Sequence, residues 1–370
     1  MLLRKNRRKS EMKKVLSLCL AMAMVFSLTA CSGSGEGTET TAAAAETTAA
    51  AAEDETTAAA DEETTAAADG ETTAAAASGE GTFKIGGIGP TTGSAAVYGT
   101  AVANAAELAV QEINAAGGIN GYQVELNFQD DENNAEKSVN AYNVLKDWGA
   151  QMLLGTVTST PCVAVAAETY NDNMFQLTPS GTAVECLTYD NAFRVCFSDP
   201  TQGTVSAQYI AENGLASKIY VIYDSSDVYS SGIYQAFAAE AENQGLEIVG
   251  SGAFTADNKT DFSVQLQQAK DAGAEMIFLP IYYTEASIIL TQADSLGFAP
   301  LFFGCDGMDG VLNVDNFDTS LADGLMFLTP FSPTAEDEVT QSFVAAYESA
   351  FGETPNQFAA DAYDGIYAIK

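Results

Sequence analysis

The stretch that decides the fold reads Leu153-Leu154-Gly155-Thr156-Val157-Thr158-Ser159-Thr160-Pro161. It continues through an Ala-rich segment of helix length and ends Phe175-Gln176-Leu177-Thr178-Pro179-Ser180-Gly181-Thr182. Two short apolar runs each close in a cluster of small hydroxyl residues and glycine. That is strand, loop, helix, strand, loop, the repeating unit of an open parallel sheet. Ligands of such sheets sit in the crevice at the carboxyl ends of the strands. Both hydroxyl clusters are therefore expected side by side on one edge. Thr160 followed by Pro161 reads as an N-cap and the first helical residue. The helix would turn its free N–H groups and positive dipole end into the same crevice, where a small carboxylate is a natural guest. The plainer alternative is that Ser159 and Thr160 only cap a helix and Ser180-Gly181 only makes a turn. Two such loops flanking one helix leave both readings open.

The alternation continues outward from this stretch. Thr82–Gly89 reads as the first strand and Pro90–Ser94 as the loop after it. A helical run from Tyr98 to Ala116 stops at Gly117-Gly118, a common terminator. Further strands are expected at Gln123–Phe128, Met152–Gly155, Met174–Thr178 and Phe193–Phe197. Helices are expected at Ala135–Trp148, Thr160–Asn171 and Gln202–Asn213. Near Asp199-Pro200 the pattern restarts. Strands follow at Lys218–Asp224, Glu247–Phe254, Met276–Pro280, Leu301–Gly304 and Leu325–Thr329. Helices fall near Gly232–Gln244, Asp261–Ala272 and Glu285–Leu296. Two similar α/β halves in tandem predict two lobes, each with its own parallel sheet. The cleft between them is the default binding site.

Composition excludes much chemistry. The chain has 370 residues, a formal net charge of −35 and no histidine. So acidic a surface is a poor partner for nucleic acid. Without histidine there is no Ser-His-Asp or Cys-His nucleophile and no His-ligated metal. No Asp-x-Asp-x-Asp-Gly loop, Gly-x-Ser-x-Gly elbow or Walker-type loop is present. These features predict neither an enzyme nor a metal or cofactor.

The amino end reads as an address. Arg4 to Lys14 is basic and Val15 to Leu28 is apolar, too short to span a bilayer comfortably. Leu28-Thr29-Ala30-Cys31 follows, completing a secretory signal. Its ending resembles the bacterial lipobox, which would make Cys31 the lipid-modified first residue and residues 1–31 a lipoprotein signal. Met12-Lys13-Lys14 has the form of an alternative start. Residues 32–81 repeat Glu-Thr-Thr-Ala-Ala-Ala without Lys, Arg or aromatic residues. Such a segment cannot bury enough apolar surface to offset its ordering entropy. It reads as a disordered, self-repelling tether reaching roughly 40 Å, which suits a Gram-positive cell surface. Cys162, Cys186, Cys196 and Cys305 remain for the folded part, with no metal-binding spacing. They read as buried free thiols, with Cys186–Cys196 the pair to test first for a disulfide, since an extracytoplasmic place permits one.

Several markers now share an order. They are Ile88-Gly89-Pro90-Thr91-Thr92-Gly93 with Tyr98-Gly99, then Asn114-Ala115-Ala116-Gly117-Gly118-Ile119-Asn120-Gly121, Thr178-Pro179-Ser180-Gly181-Thr182, and Ala362-Tyr363-Asp364-Gly365-Ile366-Tyr367. On these the chain from Thr82 onward resembles the type I periplasmic-binding proteins of bacterial ABC importers, nearest to the leucine/isoleucine/valine-binding family. The resemblance implies an α/β, two-lobed Venus-flytrap fold of parallel sheets with helices on both faces. Lobe 1 would span 82–200, lobe 2 would span 201–328, and 329–370 would return to lobe 1, with more of that lobe expected beyond Lys370. It also implies a site. Ser159 and Thr182, with backbone at Ser180 and Gly181, would meet an amino acid's α-carboxylate and α-ammonium, with Tyr98 at the mouth. Lobe 2 would add Tyr229, Tyr282 and Asp306, the last facing the ammonium. The family generally carries glutamate where this chain has Asp306, and the loop before Tyr229 is one residue longer. Both bear on which amino acid is bound.

The resemblance implies a monomeric, lipid-anchored binding protein that delivers an amino acid to an importer's permease subunits, with no cofactor. The alternative is a ligand-sensing receptor domain of the same fold for an amide or other small polar metabolite.

Overall fold

The computed structural model describes residues 81–370. The expected signal peptide, Cys31 and all but the last residue of the expected tether lie outside the described residues. Thr82–Gly89 forms β1, buried throughout its second half. Burial on both faces is what a central parallel strand needs. β1 lies between β2 (Gln123–Asp130) and β3 (Met152–Gly155). β4 (Phe175–Thr178) and β5 (Ala192–Arg194) complete an all-parallel sheet of order β2-β1-β3-β4-β5. Helices α1 (Ala96–Ala115), α2 (Ala135–Trp148) and α3 (Ser159–Asn171) are the crossovers.

After β5 the chain enters α4 (Asp199–Glu212) and builds a second parallel sheet. Its strands are β6 (Lys218–Asp224), β7 (Glu247–Phe254), β8 (Met276–Leu279), β9 (Leu301–Gly304) and β10 (Met326–Phe327). They are joined by α5 (Val228–Gln244), α6 (Ser263–Asp271) and α7 (Tyr283–Ser295) among other segments. The order β7-β6-β8-β9-β10 repeats that of the first sheet. In each lobe the winding reverses beside the first strand, which opens a crevice there. The chain ends in α8 (Glu338–Phe351) and α9 (Gln357–Ile369). α9 packs along α1 of the first lobe, where the Tyr363 and Tyr367 hydroxyls both donate to Glu112.

Apolar side chains cover both faces of each sheet. Ile88, Tyr142, Leu145, Leu153 and Val165 fill one side of the first. Ile219, Val221, Phe237, Phe278 and Phe303 fill one side of the second, with Phe237 stacked on Phe278 at 3.9 Å. Each such side chain contributes roughly 1.5–3 kcal/mol when fully buried. Among the described residues no helix is long and apolar enough to cross a membrane.

The structure corrects several expectations. α3 begins at Ser159, with Thr158 in the N-cap position. Thr160 is therefore inside the first turn rather than capping it, and Pro161 is its third residue. α5 begins at Val228 rather than near Gly232, capped by the Asp227 carboxylate on the Tyr229 N–H at 3.2 Å. α4 begins at Asp199, three residues before Gln202, with Ser198 as its cap. α8 was not anticipated. The described cysteines are all free. The thiol against Cys186 is that of Cys162 rather than Cys196, because the first turn of α3 and the 3-10 turn at Val184–Leu187 pack together beneath Gly181.

Candidate binding site between the lobes

The loops after β3 and β4 are laced together. The Thr178 hydroxyl donates to the Thr156 carbonyl at 2.6 Å, and the Ser180 hydroxyl to the Val157 carbonyl at 2.7 Å. Ser159 Oγ accepts from the Ala183 N–H at 3.2 Å. These bonds hold Thr158, Ser159 and Ser180 on one small surface at the N-terminus of α3. The first bond internal to that helix runs from the Cys162 N–H to the Thr158 carbonyl. The amides of Ser159 and Thr160 precede it and have no intrahelical partner, and Pro161 has no N–H to offer. Gly181 is packed, not presented. Its N–H donates to Thr178 Oγ1 at 2.8 Å. A Cβ there would meet Thr178 Oγ1 at 2.7 Å and Cys186 Sγ at 3.2 Å.

The second lobe supplies the opposite wall. Asp306 opens a 3-10 turn just after β9 and is 5% exposed. Its Oδ1 accepts from the Tyr229 hydroxyl at 2.7 Å and from the Gly307 N–H at 2.9 Å. Its backbone is gripped from both sides. The Asp306 N–H donates to Gln202 Oε1 at 3.0 Å, and Gln357 Nε2 donates to the Asp306 carbonyl at 2.7 Å. Burial pushes the Asp306 carboxyl up to about 6, opposed by the hydrogen bonds from the Tyr229 hydroxyl and the Gly307 N–H. Tyr229 and Tyr282 stack at 5.1 Å, and burial raises both phenols. Gly307 is sterically required: a Cβ would meet Tyr229 Oη at 2.7 Å and the Ile281 carbonyl at 2.8 Å.

The walls meet around Tyr98. Its ring stacks on Phe358 at 4.1 Å and lies edge-on to Tyr282 and Tyr283 at 5.6 and 5.0 Å. Its hydroxyl donates to the Gly307 carbonyl of the other lobe. Further bonds cross the cleft at its rim. Thr160 Oγ1 donates to Asp227 at 2.8 Å, and Thr284 Oγ1 to the Ser94 carbonyl at 2.7 Å.

Six of the residues expected from sequence line one cavity: Tyr98, Ser159, Ser180, Tyr229, Tyr282 and Asp306. Gly181 and Thr182 do not. Thr182 is buried against Asp199, whose N–H donates to its carbonyl at 3.0 Å. Thr158, Val157, Gly307 and Phe358 complete the lining and had not been singled out. Thr158 and Val157 were legible as neighbours of Ser159, whereas Phe358 arrives from α9 through tertiary packing alone. The cavity is about 10 Å³, the room of one water, so a larger ligand enters only when the lobes part. A larger cavity of about 580 Å³ lies among Val97, Met308, Val311, Phe327 and Phe331. It shares none of those six residues. Among its lining carboxylates, Asp309 is half-buried and accepts from the Gln357 N–H. The smaller cavity sets the Asp306 carboxylate opposite hydroxyls and a helix N-terminus, the pattern that receives a zwitterion. Among the described residues no group of three or more Cys, Asp or Glu could hold a metal ion.

Known proteins share this architecture. The branched-chain amino acid transporter substrate binding protein LivJ from Streptococcus pneumoniae, solved in complex with isoleucine, superposes with a TM-score of 0.73. It is 32% identical, over 78% of this chain and 82% of that one. The leucine-, isoleucine-, valine-, threonine- and alanine-binding protein of Pseudomonas aeruginosa is 28% identical, over 78% of this chain and 77% of its own. A Leu/Ile/Val-binding protein homolog of Brucella melitensis is 33% identical over 226 residues, a match spanning 60% of this chain and 61% of that relative's length. A family profile described as periplasmic binding protein matches residues 82–370. The chain belongs to the periplasmic binding protein family.

Proposed function

We propose that this protein captures a branched-chain or similar amino acid between its lobes and delivers it to the permease subunits of an ABC importer. The observation that carries this reading is one cavity with two unlike walls. On one side Asp306 supplies a buried negative charge, and on the other the Ser159 hydroxyl and the first turn of α3 supply donors. An amino acid's ammonium and carboxylate match those walls in one orientation. A buried carboxylate requires a cationic partner, and a helix N-terminus favours an anion. Tyr98, Tyr229, Tyr282 and Phe358 would enclose the side chain, with Thr182 and the Gly181 backbone supporting the carboxylate loop.

The reading extends to the whole chain. Lobe 1 would be 82–200 with 329–370, and lobe 2 would be 201–328. Residues 1–31 would be a lipoprotein signal with Cys31 carrying the lipid. Residues 32–81 would tether a monomeric receptor to the outer face of the membrane, on a Gram-positive cell surface. The binding role is tested by thermal shift of the full chain against the free amino acids. Leucine, isoleucine or valine should raise the midpoint through preferential binding to the native state. No shift with any amino acid would count against the reading. Mass spectrometry of the membrane fraction tests the anchor, since an unmodified Cys31 would exclude it.

A further inference from the structure

Helices α3 and α5 belong to different lobes, and their N-termini meet across the cleft. Each end carries amides without intrahelical partners and the positive end of a helix dipole. Two such ends repel unless something negative stands between them, and Asp227 stands there. Its carboxylate caps α5 through the Tyr229 N–H at 3.2 Å and accepts from the Thr160 hydroxyl of the other lobe at 2.8 Å. The same hydroxyl accepts from the Val228 N–H at 3.4 Å. One threonine side chain is thus built into the opening turn of both helices.

Neither Thr160 nor Asp227 lines the cavity around Tyr98. They line a neighbouring cavity of about 190 Å³ with Ser94, Lys259, Tyr282 and Glu285, large enough for several waters. Tyr282 is the wall common to the two cavities, and its phenol lies beside the Asp227 carboxylate. Water in that neighbouring space can solvate Asp227 once the lobes part, so the bond to Thr160 counts only while they are together. The other contacts at this rim are weaker links between lobes. Thr284 bonds a neutral carbonyl at Ser94. Lys259 reaches Ser94 Oγ at 3.2 Å, but its charge is paired with Glu285 of its own lobe at 2.8 Å.

We propose that Thr160 and Asp227 form a latch, a bond made only between closed lobes, outside the ligand cavity, that sets how slowly a captured amino acid is released. The inference rests on the amino-acid reading above and adds a pair of positioning residues to it. A ligand enters and leaves the open form, so a contact confined to the closed form slows opening and leaves the encounter alone. A hydrogen bond to a charged group is worth about tenfold or more in an equilibrium. Because the latch lies outside the cavity, that factor is the same for every ligand. A residue that contacts the ligand behaves otherwise, since its loss changes the preference among ligands.

The test is the release of radiolabelled leucine, isoleucine and valine from the full chain, chased with unlabelled amino acid. Thr160→Val keeps the shape of the side chain and removes both of its bonds. It should speed release by about tenfold, by one factor for all the ligands, with the association rate unchanged. Thr160→Ser keeps the hydroxyl and should release within about twofold of wild type. Asp227→Asn keeps a cap on α5 and should speed release by a smaller factor; combined with Thr160→Val it should add nothing further. Wild-type release from Thr160→Val, a loss carried by slower association, factors that differ between ligands, or additive effects of the two substitutions each overturn the proposal. Should the valine variant not fold, Asp227→Asn decides alone, and wild-type release from it overturns the proposal. If wild type binds none of leucine, isoleucine and valine, the amino-acid reading itself has failed. If it binds leucine and Thr160→Val releases it at the same rate, only this inference has.

Discussion

The loops after β3 and β4 and the loops after β6, β8 and β9 leave equivalent edges of two sheets with the same strand order, yet they bring different chemistry to the cavity. The first lobe offers neutral groups: the Thr158, Ser159 and Ser180 hydroxyls and the opening turn of α3. The second offers Asp306 with the Tyr229 and Tyr282 rings. Topology decides where a ligand can sit, and side chains decide which end of it each lobe will hold. Neither wall satisfies a zwitterion alone. The ligand's contacts therefore add up only when the lobes are together, which is how binding energy shifts a population toward closure. The rim bonds from Thr160 to Asp227 and from Thr284 to Ser94 favour the same arrangement.

The comparison breaks most sharply at Asp306. Asp306→Ala removes the second lobe's charge and leaves the ligand's ammonium short of a partner. The loss of one member of a desolvated pair costs about 2–5 kcal/mol, or on the order of 30- to 3000-fold in affinity, read by calorimetry. A change within a factor of about two would make Asp306 a turn residue. Acid sharpens the same point. Burial holds Asp306 at about 6, and a cationic ligand binds the ionised form. Lowering pH protonates it, so affinity should weaken below about 6, by up to about tenfold per pH unit. Affinity that rises on acidification would contradict the charge assignment of the second wall.

On the neutral wall the effects should be smaller. Ser159→Ala removes one hydroxyl from a charged acceptor, about 1.5–3 kcal/mol, or on the order of ten- to a hundredfold in affinity. It should not change the pH profile, because that belongs to the opposite wall. Smallest of all, deletion of residues 32–81 should leave affinity unchanged, since a Glu-Thr-Thr-Ala-Ala-Ala repeat without Lys, Arg or aromatic residues has little with which to pack on a ligand site.

Much of the fold could be read from apolar runs bounded by glycine, proline or small hydroxyls. β1, β3, β6, β7 and β9 have the expected ends because such boundaries coincide with changes of burial. Helix starts were harder to read. Asp199-Pro200-Thr201 and Val228-Tyr229-Ser230-Ser231 look like loop, because the first turns of α4 and α5 are polar or mixed. Ser198 and Asp227 did carry capping signals, as did Asp337 before α8. The slip reached the site, since Tyr229 lies in the first turn of α5. Thr160 misled for a different reason. Its hydroxyl is spent across the cleft on Asp227, while the cap position belongs to Thr158. Asp306 was legible only through family resemblance, because Asp-Gly is also an ordinary turn pair.

The most direct measurement is a crystal structure of the full chain with isoleucine. The account predicts the ammonium within hydrogen-bond distance of Asp306, about 2.7–3.2 Å, and the carboxylate on Ser159 and the N-terminus of α3, with the lobes closed around them. Isoleucine in the reverse orientation, or seated in the cavity between Val97 and Phe331 while the six residues around Tyr98 stay apart from it, would contradict the account.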